Sequence, residues 1–320
     1  MSETNRYAFM RKEENECDKV DNKVGNIDRY AILNIGSLSL CTTVRRKQQM
    51  GKPEEKESLL EVLRHLRLID DVFMTEVFRN KDCVELLLRI ILEKEDLEVE
   101  TVKTQDTFNN FAGHSIRMDI HASDSKGNAY DIEVQRSNEG AAMERARYLS
   151  GALDASSLPR GSSYKELPDS YVIFITENDV FHAGYPRYHV ERMVLETEQK
   201  FEDRAHIIYV NAAWQDDTPL GRLMHDLYCE VPADMHYETL RKQSAYYKET
   251  KEGEPRMCEA LEKLISKEKQ EASERASAKT LANNIMALIS GGHSVEEACR
   301  MLHSTVDEYL AAKKLLEEYR

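Results

Sequence analysis

The chain of 320 residues lacks the signatures of several large protein classes. It has no run of about 18 apolar residues, so the sequence predicts no membrane-spanning helix. It also lacks the patterns of phosphate-binding loops, dinucleotide-binding turns, HExxH zinc sites and GxSxG nucleophile elbows. ATP use, dinucleotide binding and serine-hydrolase chemistry are therefore without support.

The six cysteines are widely scattered and form no C-x-x-C pair. No Cys/His cluster has the usual zinc spacing, so we expect free thiols in a reducing compartment. The first residues are mixed in charge and do not have the pattern of a secretory signal. We therefore expect a cytoplasmic location.

Basic residues are in the minority, with 44 Lys+Arg against 58 Asp+Glu and a net charge of -14. This balance argues against a protein that coats nucleic acid non-specifically, because such proteins are usually basic. Hydrophobic residues make up 41% and charged residues 32% of the chain. Together with the length, these values predict a soluble globular body with strongly solvated helices, in roughly two domains or in one large domain with an appendage.

The first 49 residues differ from the rest of the chain. Residues 1–29 are polar, and residues 30–44 form an apolar run that is too short to span a bilayer. This run is either a buried strand or part of an upstream extension, because Met50 begins a segment that is typical of a protein start. We predict an atypical N-terminal extension, mis-started or disordered, over residues 1–49.

Periodicity in the remaining sequence predicts a sheet domain followed by helices. The order of helices and strands indicates an α/β or α+β domain over residues 55–235, with a mixed sheet flanked by helices. We predict helices at 57–71, 82–92, 139–154 and 219–229, and strands at 98–104, 115–122, 129–135, 171–176 and 206–212.

Residues 236–320 are predicted to be helical throughout. Gly291 and Gly292 end a long charged helix, and two capping boxes follow, one at Ser294 with Glu297 and one at Thr305 with Glu308. The last helix opens on acidic residues, which would repel DNA phosphates. The segment therefore favours helix packing, or a homo-oligomer formed through the C-terminal helices.

The most informative segment is a predicted hairpin whose turn lies at residues 124–128. Alternation places Met118, Ile120 and Ala122 on one face of its first strand. Symmetric pairing about Lys126 places Asp119 opposite Glu133. Directly opposed side chains lie about 4.5–5.5 Å apart at Cβ, so the two carboxylates would repel each other unless a divalent cation lay between them. The alternative is an exposed polar face with charges that happen to align.

The hairpin and the segments around it resemble, in sequence and in order, those of a known protein family. R-M-D-I-H-A, a glycine-containing turn and Y-D-I-E-V-Q-R resemble the D…E-x-Q/K signature of the PD-(D/E)XK nuclease superfamily. The closer resemblance is to its Rpn-like, transposase-labelled group of recombination-promoting nucleases. It covers about residues 55–320 and implies a restriction-endonuclease-like core. The supporting segments are I-D-D-V-F-M-T-E-V-F, R-A-R-Y-L-S, Y-V-I-F-I-T-E-N-D and H-I-I-Y-V-N.

The resemblance assigns roles to matching residues of this chain. Asp119 matches the metal-binding Asp and Glu133 the Glu of the E-x-K element, whereas Gln135 stands where most of the superfamily has Lys. A carboxylate on an early helix often completes such sites; we predict Asp70, with Asp71 and Glu76 as competitors. Arginines 145 and 147 and Tyr148 could contact phosphate or simply form a solvated helix face.

The activity implied by the resemblance is Mg²⁺-dependent endonucleolytic hydrolysis of DNA, with Mn²⁺ as a possible substitute. Glutamine is neutral and can only hydrogen-bond, so Gln135 makes a second interpretation possible. In that interpretation the chain is a catalytically weak or inactive nuclease-fold protein for binding or assembly in mobile-element or defence systems. An RNA-directed nuclease is a third interpretation that the sequence does not separate from the first.

Overall fold

The computed structural model describes residues 52–109, 115–136 and 138–318. The extension predicted for residues 1–49 lies outside the described residues. The α-helices are α1 (Lys52–His65), α2 (Asp71–Val77), α3 (Lys81–Leu92), α4 (Met143–Ser157), α5 (Pro219–Tyr228), α6 (Glu238–Glu249), α7 (Gly253–Ser290), α8 (Val295–Met301) and α9 (Val306–Glu318). The strands are β1 (Val99–Asn109), β2 (Ser115–Asp124), β3 (Ala129–Gln135), β4 (Ser170–Thr176), β5 (Arg187–Val190), β6 (Met193–Val194), β7 (Gln199–Lys200) and β8 (Ala205–Asn211).

Six of these strands form one mixed sheet in the order β1-β2-β3-β4-β8-β5. Strands β1, β2 and β3 pair antiparallel, whereas β3, β4 and β8 run parallel. The parallel connection from β3 to β4 runs through α4, as parallel pairing requires a crossover. Strands β6 and β7 form a separate two-stranded hairpin.

Both faces of the sheet are buried against helices. One face, with Ile120, Ile132 and Ile173, packs in a large apolar cluster with α2, α3 and α5. The other face, with Val172, Phe174 and Tyr209, packs against α4 through Leu149 and Leu153. Burial on both faces explains why β4 reads as an unbroken apolar run. The predicted α/β fold with a mixed sheet flanked by helices is confirmed.

The first predicted helix differs from the structure. Its apolar spacing continues to Ile69, but the helix ends at His65 and a new one begins at Asp71. Between them the backbone N–H of Ile69 donates to the carbonyl of Leu227, and Leu66, Leu68 and Ile69 stay buried. Tertiary packing therefore buries these side chains without a helical backbone.

The long helix α7 crosses the division between two compact units, which falls between residues 264 and 265. The unit that contains the sheet ends at residue 264. Its core beneath the sheet includes Leu240, Tyr247, Met257 and Leu261, so the helical region begins within this unit. The domain boundary at residue 235 itself stays a prediction. None of the helices in the described part of the chain is long and apolar enough to cross a membrane.

In the second unit, Ala282 and Ile285 of α7 pack with Ala298, Cys299 and Tyr309 of α8 and α9. The predicted capping box at Ser294 and Glu297 is present, and Thr305 and Glu308 exchange the same two hydrogen bonds. The apolar faces of these helices are thus used within one chain. Self-association through them stays a prediction.

Candidate active site

The turn between β2 and β3 is fixed by the buried carboxylate of Asp124. Its oxygens accept hydrogen bonds from the backbone of Lys126 and Asn128 and from the hydroxyl of Tyr130. Gly127 has φ +83°, a left-handed conformation that glycine adopts without steric cost. This turn sets the register, and the pairs from Ser123 with Ala129 to Ile120 with Ile132 are symmetric about Lys126 as predicted.

The two strands change their bonding at Asp119. The regular ladder of backbone hydrogen bonds ends at the pair of Ile120 and Ile132. Beyond this pair, side-chain oxygens accept hydrogen bonds from the backbone of the opposite strand. The backbone N–H of Asp119 donates to Oε1 of Glu133 (3.3 Å), and that of Val134 donates to Oδ2 of Asp119 (3.2 Å). The structure therefore brings Asp119 and Glu133 together.

One face assignment in β2 was wrong. Met118 does not share the packing of Ile120 and Ala122 but lies in the cluster on the α4 side of the sheet. The neighbouring strand is irregular at the same level, where Gln105 has φ +55°. The alternation of faces thus breaks at Asp119, which a strict period of two does not anticipate.

Glu133 is fully buried, with 0% exposure, and is held by two side chains. The guanidinium of Arg145 from α4 donates to Oε2 of Glu133, and Nε2 of Gln135 donates to the same oxygen (3.1 Å). Burial raises the pKa of Glu133, and the positive charge of Arg145 opposes that rise. The alternative interpretation, an exposed polar face, therefore does not hold at Glu133, and Arg145 binds a carboxylate of the site.

Gln135 is positioned by the close approach of Gly140. A Cβ at residue 140 would lie 1.9 Å from Oε1 of Gln135, so only glycine leaves room for the amide in this position. Arg145 also donates to the carbonyl of Gly140 (3.2 Å). The turn before α4 therefore orients both side chains that contact Glu133.

Asp131 is a third carboxylate of the site, and we did not predict it. It is 0% exposed, lies two residues before Glu133 on the same face of β3, and neither of its side-chain oxygens has a hydrogen-bond partner. Burial, followed by the charges of Glu133 and Asp119, raises its pKa well above the ordinary value. The available signal was the D-x-E spacing, which places both residues on one face of a strand.

Asp119 is partly buried and interacts with an acidic residue of α2. Burial raises its pKa to about 7, and the negative charges of Glu133 and then Asp71 contribute to the rise. Asp71 accepts a hydrogen bond from Nε2 of Gln105 (3.2 Å). Of the three early carboxylates proposed for the site, Asp71 is the one whose charge contributes to the raised pKa of Asp119.

The other two early carboxylates are paired with arginines. Asp70 is 7% exposed and forms ion pairs with Arg67 (3.2 Å) and Arg136 (3.3 Å). Glu76 pairs with Arg79 at 2.8 Å. The structure does not bring Asp70 into contact with Asp119 or Glu133 through any hydrogen bond of the described residues.

The carboxylates of this site have a chemistry that suits a hard divalent cation. Asp119, Asp131 and Glu133 crowd negative charge with a single arginine in contact, and the oxygens of Asp131 lack any donor. The carboxylate oxygens of these three residues do not form a group in which all three lie within 4.8 Å of one another. Mg²⁺ binds through one or two carboxylates together with water and phosphate oxygens, so the arrangement fits it.

Comparison with known proteins identifies the family to which the chain is similar. The family model described as PD-(D/E)XK nuclease family transposase matches residues 70–289. This range holds the whole six-stranded sheet and every residue of the site described above. Neither the curated proteins nor the solved structures that were searched gave a match.

Proposed function

The chain belongs to the PD-(D/E)XK nuclease family transposases, and from this membership we propose that it is a divalent-cation-dependent endodeoxyribonuclease. The observation that supports this most is the buried Asp131, whose two unpartnered oxygens lie on the same face as Glu133. A buried carboxylate without a partner costs stability, so its place beside two other carboxylates is better explained by a bound cation than by packing.

In this proposal Asp119 and Glu133 hold the cation, whose charge would stabilise the ionised form of Asp131, which has no hydrogen-bond donor of its own. When bound, Mg²⁺ or Mn²⁺ would lower the pKa of a water and stabilise charge on the phosphodiester. Asp71 replaces Asp70 as our choice for the carboxylate contributed by the early helix. The reason is that Asp71 raises the pKa of Asp119, whereas Asp70 is neutralised by Arg67 and Arg136.

Gln135 and Arg145 supply the polar contacts that do not depend on the cation. The amide of Gln135 is fixed between Glu133 and Gly140 and would orient the attacking water by hydrogen bonding. Arg145 neutralises Glu133 and has a side chain that is 38% exposed, so its guanidinium is accessible to a phosphate. Arg147 lies exposed on the same helix.

DNA is the substrate that the family implies. The net charge of -14 opposes tight binding of a polyanion, so affinity should depend on the cation and fall steeply with added salt. Cleavage at low salt in the presence of Mg²⁺ is therefore the condition in which activity should be sought.

One observation favours a non-catalytic role. Gln135 has no positive charge to stabilise a developing phosphate anion, unlike the lysine that the superfamily usually carries there. A nuclease fold that binds the cation and DNA without cutting would account for the same carboxylates.

The test is a nicking assay on supercoiled plasmid with Mg²⁺, Mn²⁺ or EDTA, together with thermal denaturation with and without Mg²⁺. We expect wild-type protein to nick only with a divalent cation, and Asp119→Asn and Glu133→Gln to lose nicking while still folding. Asp71→Asn should reduce nicking more than Asp70→Asn does. The exposed Asp96 gives the control Asp96→Asn, which should match wild type.

Two results would change the proposal. Thermal stabilisation by Mg²⁺ without nicking would favour the non-catalytic role. Equal nicking by Asp119→Asn and wild type would remove this site from the reaction. Single-stranded RNA tested in parallel identifies the substrate, since cleavage of RNA alone would replace DNA in the proposal.

A further inference from the structure

A second group of possible metal ligands lies at the carboxyl end of α5. His225, Asp226 and Cys229 bring together a nitrogen, an oxygen and a sulfur whose donor atoms all lie within 4.8 Å of one another. In the part of the chain that the structure describes, they are the one such group of three. We did not single out this group from the sequence, where one helical turn separates His225 from Cys229.

Two of the three distances between the donor atoms match those of a tetrahedral zinc site. Sγ of Cys229 lies 3.4 Å from Nδ1 of His225 and 3.8 Å from its Nε2, and Nδ1 lies 3.3 Å from Oδ1 of Asp226. With Zn–S near 2.3 Å and Zn–N or Zn–O near 2.0–2.1 Å, tetrahedral angles require about 3.6 Å between N and S and about 3.4 Å between N and O. The imidazole nitrogen is therefore already spaced from the sulfur and from the oxygen as the ion requires, and the third pair lies within 4.8 Å.

The carboxylate of this cluster is held in place by the chain that follows it. Asp226 is 0% exposed and accepts hydrogen bonds at 2.8 Å from the backbone N–H groups of His236 and Tyr237. Such contacts outside the ligand set orient metal ligands and raise affinity. The imidazole of His236 lies beside that of His225, with ring centroids 4.7 Å apart.

The cysteine of this cluster is buried among negative charges. Cys229 is 9% exposed, and the acidic residues whose negative charges act on it are Asp226 and Asp234. A bound cation would offset these charges and release the thiol proton. The ammonium of Lys248, which donates to the carbonyl of Glu230, contributes an opposing positive charge near this thiol.

We propose that His225, Asp226 and Cys229 bind a Zn²⁺ ion. The mixed N, O and S donor set suits zinc rather than Mg²⁺, which takes oxygen ligands. The ion would hold the last turn of α5 to Cys229, and the hydrogen bonds of Asp226 to His236 and Tyr237 join this turn to the chain before α6. This site shares no residue with the carboxylates on β2 and β3, so it does not depend on the proposed nuclease activity.

The experiment uses the full chain, stripped of metal by a chelator and titrated with Co²⁺ as a spectroscopic substitute for Zn²⁺. We expect one equivalent of Co²⁺ to give a thiolate-to-cobalt charge-transfer band and the visible bands of tetrahedral cobalt. Cys229→Ser should abolish the charge-transfer band, and His225→Gln should weaken Zn²⁺ binding by more than about tenfold. Both Cys258→Ser, which removes another buried thiol, and Asp119→Asn should keep the band.

Circular dichroism of each variant without metal shows whether it folds, and His225→Gln serves as the second test if Cys229→Ser does not. The absence of a charge-transfer band in folded wild-type protein would overturn the proposal, and the His225–Cys229 contact would then be a hydrogen bond alone. A band that survives in Cys229→Ser, or disappears in Cys258→Ser, would overturn it as well.

Discussion

Asp119 and Glu133 each accept a hydrogen bond from the main chain of the opposite strand. Oε1 of Glu133 accepts from the N–H of Asp119, and Oδ2 of Asp119 accepts from the N–H of Val134. These bonds take the place of ladder bonds between β2 and β3 beyond Ile120. The two acidic side chains are therefore fixed by the backbone before any cation binds, as a preorganised site requires.

Replacing Asp131 should stabilise the protein in the absence of a cation. Asp131→Asn removes a buried carboxylate that has no donor, so we expect the melting temperature in EDTA to rise and the stabilisation by Mg²⁺ to shrink. Thermal denaturation at neutral pH, with and without Mg²⁺, measures both effects.

Asp124 provides the matched control for Asp131. It is also buried, but its oxygens accept hydrogen bonds from Lys126, Asn128 and Tyr130, so Asp124→Asn should lower stability by about 1–3 kcal/mol. A fall in melting temperature for Asp131→Asn similar to that of Asp124→Asn would contradict the role given to Asp131.

Filling the space at Gly140 should impair activity without unfolding the protein. In Gly140→Ala the new methyl group displaces the flexible amide of Gln135, so we expect the nicking rate to fall roughly tenfold or more. Gly151→Ala is the control, because nothing lies within 4 Å of its Cβ, and it should nick at the wild-type rate. Equal rates for the two variants would show that the position of the Gln135 amide does not matter.

Lys248 should make stability depend on pH in the alkaline range. It is 8% exposed and its ammonium donates to the carbonyls of Arg64, Leu66 and Glu230, while burial lowers its pKa to about 8. Between pH 8 and the ordinary value of 10.5 the unfolded chain binds more protons at this group, so its contribution to the free energy of unfolding rises with pH.

The variant Lys248→Met tests this pH dependence. It leaves three carbonyls without a donor, so we expect the free energy of unfolding, measured by urea denaturation, to fall by about 1–3 kcal/mol. The loss should grow from pH 8 to pH 10.5, as wild type is relieved of a buried charge that the variant does not carry. Lys242→Met, on the exposed side of the same helix, should change stability little at either pH. A loss that stays constant across this range would contradict the lowered pKa.

Local signals in the sequence predicted the hairpin, and long-range contacts decided what lies around it. The turn with Gly127 and the alternation of β3 fixed the register that places Asp119 near Glu133. The ion pair of Arg145 with Glu133 and the pairing of Asp70 with Arg136 join separate elements, so no periodicity within one segment indicates them. The short strand β5 escaped prediction because it has only four residues and partly exposed side chains.

The separation of 14 residues between Asp119 and Glu133 also bears on how the chain folds. Closing this hairpin costs less loop entropy than pairing β3 with β4, whose connection passes through the whole of α4. Local β-hairpins form in about 1–10 μs, whereas parallel pairing across a long connection is slower. In this order of assembly, Asp119 and Glu133 come together before α4 brings Arg145 to Glu133. A cation present during folding would therefore change the folding rate as well as the stability of the folded protein.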